Sequence, residues 1–103
     1  MIANDMRPIH PGEILREEYL QPLDMTPNAL ATALRITPAR VNEIVREERG
    51  ITPDTALRLA QFFGTTAEYW LNMQMAYELR NARREAGFRI AEEIQPYEAS
   101  RGE

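Results

Sequence analysis

The 103-residue chain contains no cysteine, so neither a disulfide framework nor a thiolate zinc site is open to it. It has one histidine, His10, and a single imidazole cannot assemble a metal centre. Glu13, Glu17 and Glu18 nearby fall where the solvated face of a first helix is expected. The only serine is Ser100, close to the C-terminal end, and threonine stands mainly where helices begin. No activated nucleophile is therefore expected, and no catalytic residue, metal or cofactor. No apolar run approaches the length of a membrane span, and "MIANDMRPIH" lacks the basic-then-apolar order of a signal peptide. These absences point to a cytoplasmic protein with no membrane partner.

Lysine is missing as well. All 12 basic residues are arginine, set against 16 acids for a formal charge of −4. That balance argues at first against a nucleic-acid partner. Arginine is the better fork for phosphate or guanine, yet a GC-rich genome encodes it equally well. The distribution says more than the total. Residues 1–34 hold two arginines against five acids, whereas 35–49 hold four arginines against three.

What is abundant is punctuation. "TP" occurs at Thr26-Pro27, Thr37-Pro38 and Thr52-Pro53, each time before an apolar-periodic segment. Threonine is a good N-cap, and proline suits the first helical position, where its missing N–H would be unsatisfied anyway. Pro11 after His10 marks a fourth start, and Thr65 with Glu68 has the capping-box pattern of a fifth. Five helices are predicted, at 11–20, 27–34, 38–46, 53–63 and 66–85. Pro22 is expected to stop the first and Gly64 the fourth.

Their apolar stripes are Ile14, Leu15 and Tyr19; Leu30, Ala31 and Leu34; Val41, Ile44 and Val45; Ala56, Leu57, Leu59, Ala60 and Phe63; and Trp70, Leu71, Met73 and Tyr77. Trp70 and Tyr77 are read as core or interface aromatics. "GFRIAEEI" fits helix or strand equally. The fold class is all-α.

Helices two and three are short and separated only by "RIT". So tight a connection forces a steep crossing and leaves the outer face of the second helix protruding, which is helix-turn-helix geometry. The plain alternative is a helical bundle with short loops. In "TPARVNEIVREERG", residues 37–50, Val41, Ile44 and Val45 form the inward stripe. Ala39, Arg40, Asn42, Glu43 and Arg46 point the other way.

"ALATALRITPARVNEIV" resembles the helix-turn-helix of the Cro/CI-like (XRE) repressors. Ala31 matches the small residue packed between the two helices, Ile36 the apolar turn residue, and Val41 and Ile44 the buried side of the reading helix. The flanks "HPGEILREEYLQP" (10–22), "ITPDTALRLAQFFGTT" (51–66) and "YWLNMQMAYEL" (69–79) look like HigA-type antitoxins, the VapI group. The resemblance covers about residues 8–80. It implies a five-helix Cro/CI (lambda repressor)-like fold with a C-terminal helical extension. The expected organisation is an N-terminal arm (1–10), a helix-turn-helix domain (11–66), a helical extension (67–95) and a frayed tail (96–103). The family usually has glycine in the turn after helix two, and this chain has Arg35 there, at a cost of about 1 kcal/mol.

The resemblance further implies that the chain binds double-stranded operator DNA, represses its own operon as a homodimer, and neutralises a small basic ribonuclease toxin (HigB-like). Arginine donates twice to guanine, asparagine pairs with adenine and glutamate accepts from cytosine. The candidate base readers are accordingly Arg40, Asn42, Glu43 and Arg46, with Thr37 and Ala39 at the leading end of the helix. Thr26 and Asn28 open helix two, where free amides suit phosphate, and Arg49 is a further phosphate contact. For Arg40 and Glu43 the alternative is a mutual ion pair, and for Thr26 and Asn28 a cap and a surface residue.

"ELRNARREAGFRIAEEI" (78–94) is either an exposed helix or a dimer or partner surface. Two rival functions remain: an orphan regulator of the same fold without a toxin, and a purely protein-binding helical module.

Overall fold

The computed structural model describes residues 7–98. Five helices follow one another, and no strand occurs among the described residues. Helix α1 spans 11–23, α2 is Pro27–Leu34, α3 Pro38–Val45, α4 Pro53–Phe63 and α5 Ala67–Glu93.

The helix starts are built as the Thr-Pro pairs predict. Thr26, Thr37 and Thr52 each sit in extended backbone before a proline. Their hydroxyls accept from the amides of Ala29 (3.0 Å), Arg40 (3.2 Å) and Thr55 (3.4 Å). His10 caps α1 in the same manner, Nδ1 accepting from the Gly12 amide at 2.8 Å. Its buried ring meets Tyr77 edge-on, with centroids 4.7 Å apart, and burial pushes its pKa below the ordinary value.

Three expectations need correction. The cap of α5 is Thr66, not Thr65: the Thr66 hydroxyl accepts from the Tyr69 amide, while Thr65 Oγ1 accepts from Trp70 Nε1 at 2.8 Å. Thr65 thus satisfies the one polar atom of the fully buried indole, a duty that outranks capping. Pro22 does not end α1, which runs on through Leu23 to a left-handed Asp24. Residues Leu15–Leu20 form a π-helical turn, and the Gln21 amide bonds back five residues to the Arg16 carbonyl. The widened turn immediately before Pro22 accommodates the proline. Finally, α5 continues to Glu93 rather than stopping near 85. "GFRIAEEI" is therefore helix as far as Glu93, and Gly87 is carried inside it.

The core consists of Leu15, Leu20, Leu30, Ala31, Leu34, Val41, Ile44, Val45, Ile51, Ala56, Leu59 and Trp70. All five helices contribute to it. Leu57 does not, being 63% exposed on the outer side of α4. Tyr19 joins α1 to this core through ring contacts with Phe63 (4.8 Å) and Trp70 (5.1 Å). Beyond Gln74, α5 leaves the core, so that the fold extends 58 × 26 × 24 Å. Leu79, Phe88 and Ile90 stand exposed on that outer part. The fraying expected for residues 1–6, and for the tail beyond Glu98, falls outside the described residues.

Candidate nucleic-acid interface

Helices α2 and α3 meet through Arg35, Ile36 and Thr37. Arg35 adopts φ 60° and ψ 41°, the left-handed conformation for which glycine is the usual choice. Its amide bonds to Thr32 O (3.2 Å) and that of Ile36 to Ala31 O (3.1 Å). This pair of bonds is a Schellman closure, and it turns the chain sharply enough for α3 to cross α2. Arginine has kept the turn glycine would make, and the turn is not rebuilt. Ile36 then packs on the core and holds the crossing.

Behind α3 the contacts are close. Val41, Ile44 and Val45 are buried. A Cβ on Gly12 would stand 1.8 Å from the Ile44 carbonyl oxygen, so α1 passes against α3 with no room for any side chain. Arg16 of α1 donates to the Val45 carbonyl at the end of α3 and ion-pairs with Glu47. Gln74 of α5 accepts from the Ile51 amide at 2.8 Å, fixing the loop that follows α3. The helix is thus clamped from α1, and the loop that follows it is tied to α5.

Its other side is open. Thr37 caps the helix, and Ala39 is exposed in the first turn, offering only a methyl. Arg40, Asn42 and Glu43 are half-buried; Arg46 ends the helix and Arg49 lies in the loop beyond, both exposed. Asn42 Nδ2 donates to Asn28 Oδ1 at 3.1 Å, tying the middle of α3 to the exposed N-terminal turn of α2. Two predicted site residues are thereby brought together. Thr26 and Thr37 serve as caps, and their hydroxyls are engaged by their own helices.

Of the three charged pairs here, one reaches another helix and two are local to the end of α3 and its loop. Arg40 does not meet Glu43; its Nη1 lies 3.5 Å from Asp54 Oδ2 at the start of α4. Glu43 holds Arg49 instead, at 2.7 Å, and Arg46 lies 3.4 Å from Glu48. Asp54 also accepts from Arg58 Nε at 2.9 Å, and that bond above all holds its carboxyl below the usual range. Periodicity could not have identified Asp54 and Arg58 as neighbours of this face, because Asp54 stands 14 residues from Arg40. The only hint was an acid directly after Thr52-Pro53. Gly12, Arg16 and Gln74 were likewise missed as supports of α3, since nothing local marks a contact 23 to 32 residues away.

An exposed polar helix, clamped from behind and set across a second helix N-terminus, can enter a groove and touch phosphates on its rim. The helix-turn-helix family profile matches residues 17–70. The antitoxin HigA of Pseudomonas aeruginosa, solved with the higBA promoter, superimposes with a TM-score of 0.86 at 51% identity, covering 87% of this chain and 98% of that one. The chain belongs to the HigA-type antitoxins of the helix-turn-helix family. An addiction-module antidote protein of the HigA family from Coxiella burnetii aligns with a TM-score of 0.84 at 53% identity, over 88% of this chain and 99% of that one. Virulence-associated protein I of Dichelobacter nodosus is 63% identical over 79 residues, 77% of this chain and 73% of that protein. As in those HigA-type relatives, the fold is all-helical and Cro/CI-like. No described helix is long and apolar enough to cross a membrane.

Proposed function

We propose that the chain is a cytoplasmic DNA-binding antitoxin that represses its own operon and neutralises a small basic ribonuclease toxin, acting by binding rather than catalysis. The observation that carries the DNA part is the exposed side of α3, held against α1, followed by a loop tied to α5, and joined to α2 through Asn42–Asn28. On this reading Arg40, Asn42, Glu43 and Arg46 face base edges, with Thr37 and Ala39 nearest the groove floor. Thr26, Asn28 and Arg49 then lie along phosphates. Residues 11–66 form the reading unit. Residues 67–95 form the extension that serves a dimer or a partner, supported by the exposed apolar residues of outer α5.

The operator is an inverted repeat bound by a homodimer, with reading helices about 34 Å apart. One helix this short offers too few base contacts for useful specificity, and a charge of −4 adds little non-specific attraction. Toxin capture rests on family membership and on charge. Acids in 1–34 and 78–98, among them the exposed Glu17, Glu18, Glu85, Glu92 and Glu93, suit a basic partner.

Footprinting on the DNA upstream of the chain's own gene tests the first part. Protection of two symmetric half-sites is expected, and one non-palindromic half-site held by a single chain would refute the dimer. Co-expression with the neighbouring small basic gene product, followed by purification on a tag on this chain, tests the second. Failure to co-purify or to rescue growth would remove the toxin.

A further inference from the structure

Three arginines of the reading segment are already occupied in the free protein. Arg40 lies beside Asp54, Arg46 beside Glu48 and Arg49 beside Glu43. Arg40 and Arg49 also open on one shallow hollow, lined further by Gly50, Thr52, Asp54 and Thr55. Asp54 is the only acid among those residues. It is held in place independently of Arg40: Arg58 grips it at 2.9 Å and is itself anchored on the Leu34 carbonyl at 2.9 Å. The longer Arg40 contact, at 3.5 Å, is the weaker of the two that this carboxylate makes.

Such pairs are solvent-exposed and hence easily exchanged. A carboxylate beside an arginine cancels most of the attraction that the arginine would exert on any phosphate. It cancels much less of a close, two-pronged bond to a guanine edge, which depends on direct contact and geometry.

We propose that Asp54, with Glu48 in the same role, is a resident counter-ion that raises sequence discrimination by suppressing non-specific DNA binding through Arg40 and Arg46. Asp54 and Glu48 are thus specificity-determining residues that act through their arginines and need touch no base. The inference rests on the DNA-reading function above and deepens it.

The test measures binding of the intact chain to two labelled duplexes by fluorescence anisotropy, between about 50 and 200 mM salt. One duplex is the DNA upstream of the chain's own gene; the other has the same composition, scrambled. For D54N and for E48Q, affinity for the scrambled duplex is expected to rise about 3- to 10-fold, with the log–log salt slope steeper by about one, as for one additional phosphate contact. Affinity for the upstream duplex rises less, so the ratio between the two falls. In an R40A background the gain from D54N is largely lost, Arg58 being held on the Leu34 carbonyl, which separates the effect from any general role of Asp54 in starting α4. E68Q, at an exposed position in the first turn of α5, makes the same change in net charge and leaves the ratio unaltered.

D54N and E48Q indistinguishable from E68Q, or weakening both duplexes alike, would overturn the inference while DNA reading stands. A wild-type chain with no preference for the upstream duplex would overturn the DNA reading and this inference with it.

Discussion

Replacing Arg35 by glycine should stabilise the protein, and replacing Gly64 by alanine should destabilise it. Both residues end a helix in the left-handed region, Arg35 at φ 60° and Gly64 at φ 75°. An L-residue there costs about 1–2 kcal/mol from crowding of its Cβ against the carbonyl oxygen. Glycine escapes that cost but loses about 0.5–1 kcal/mol more backbone entropy on folding. The difference for Arg35→Gly is a gain of about 0.5–1 kcal/mol. Both closing bonds of the turn are made by backbone, so the substitution leaves them intact. Gly64→Ala is the mirror experiment. No atom lies within 4 Å of a Cβ built there, so packing adds nothing and the loss is about 1 kcal/mol of backbone strain. Thermal unfolding followed by far-UV circular dichroism should show shifts of about 3–5 °C in opposite directions for a domain of this size. Arg35→Ala, which keeps the strain and loses the guanidinium, controls for side-chain contacts. A glycine variant less stable than the alanine variant would refute the reasoning, because strain at residue 35 would then not be the governing quantity.

Arg40→Ala should weaken operator binding by about 1–3 kcal/mol in a titration, with the melting temperature unchanged; equal binding would remove α3 as the reader. Gly12→Ala should destabilise by about 3 kcal/mol or more in urea unfolding, since its Cβ would meet the Ile44 carbonyl at 1.8 Å and neither backbone can yield cheaply. Burial lowers the pKa of His10 from 6.5, so the unfolded chain takes up its proton first. Stability is then full above pH about 6.5 and declines below it as the Nδ1 acceptor for Gly12 is lost. Urea unfolding at stepped pH should show that decline in the wild type and a flatter profile in His10→Asn.

Local chemistry explains what was legible. A Thr-Pro pair caps a helix with its own atoms, so three starts could be placed with no tertiary knowledge. The inward stripe of α3 was visible because 3.6-residue periodicity needs only one helix. The same rule misplaced Leu57, for an apolar residue on the stripe's margin is buried only if a neighbour covers it. Thr65 and Thr66 could not be ranked by sequence, because the choice depends on where the Trp70 indole comes to lie. At the candidate interface the arginines could be named in advance. Their partners could not, as Asp54 arrives from another helix and Glu43 turns to Arg49 instead of Arg40.

The widened turn in α1 has a consequence for how this family can vary in length. Leu15 and Leu20 are both buried, yet residues five apart on a regular α-helix sit about 140° round the cylinder from one another. The π turn absorbs one extra residue and brings both leucines to the same side. Between Arg16 and Tyr19 the chain thus carries a spare residue. A relative one residue shorter there could relax to an ordinary helix and still present two apolar side chains inward, with the clamp on α3 undisturbed. This is a place where insertion and deletion are interchangeable, inside a helix rather than in a loop.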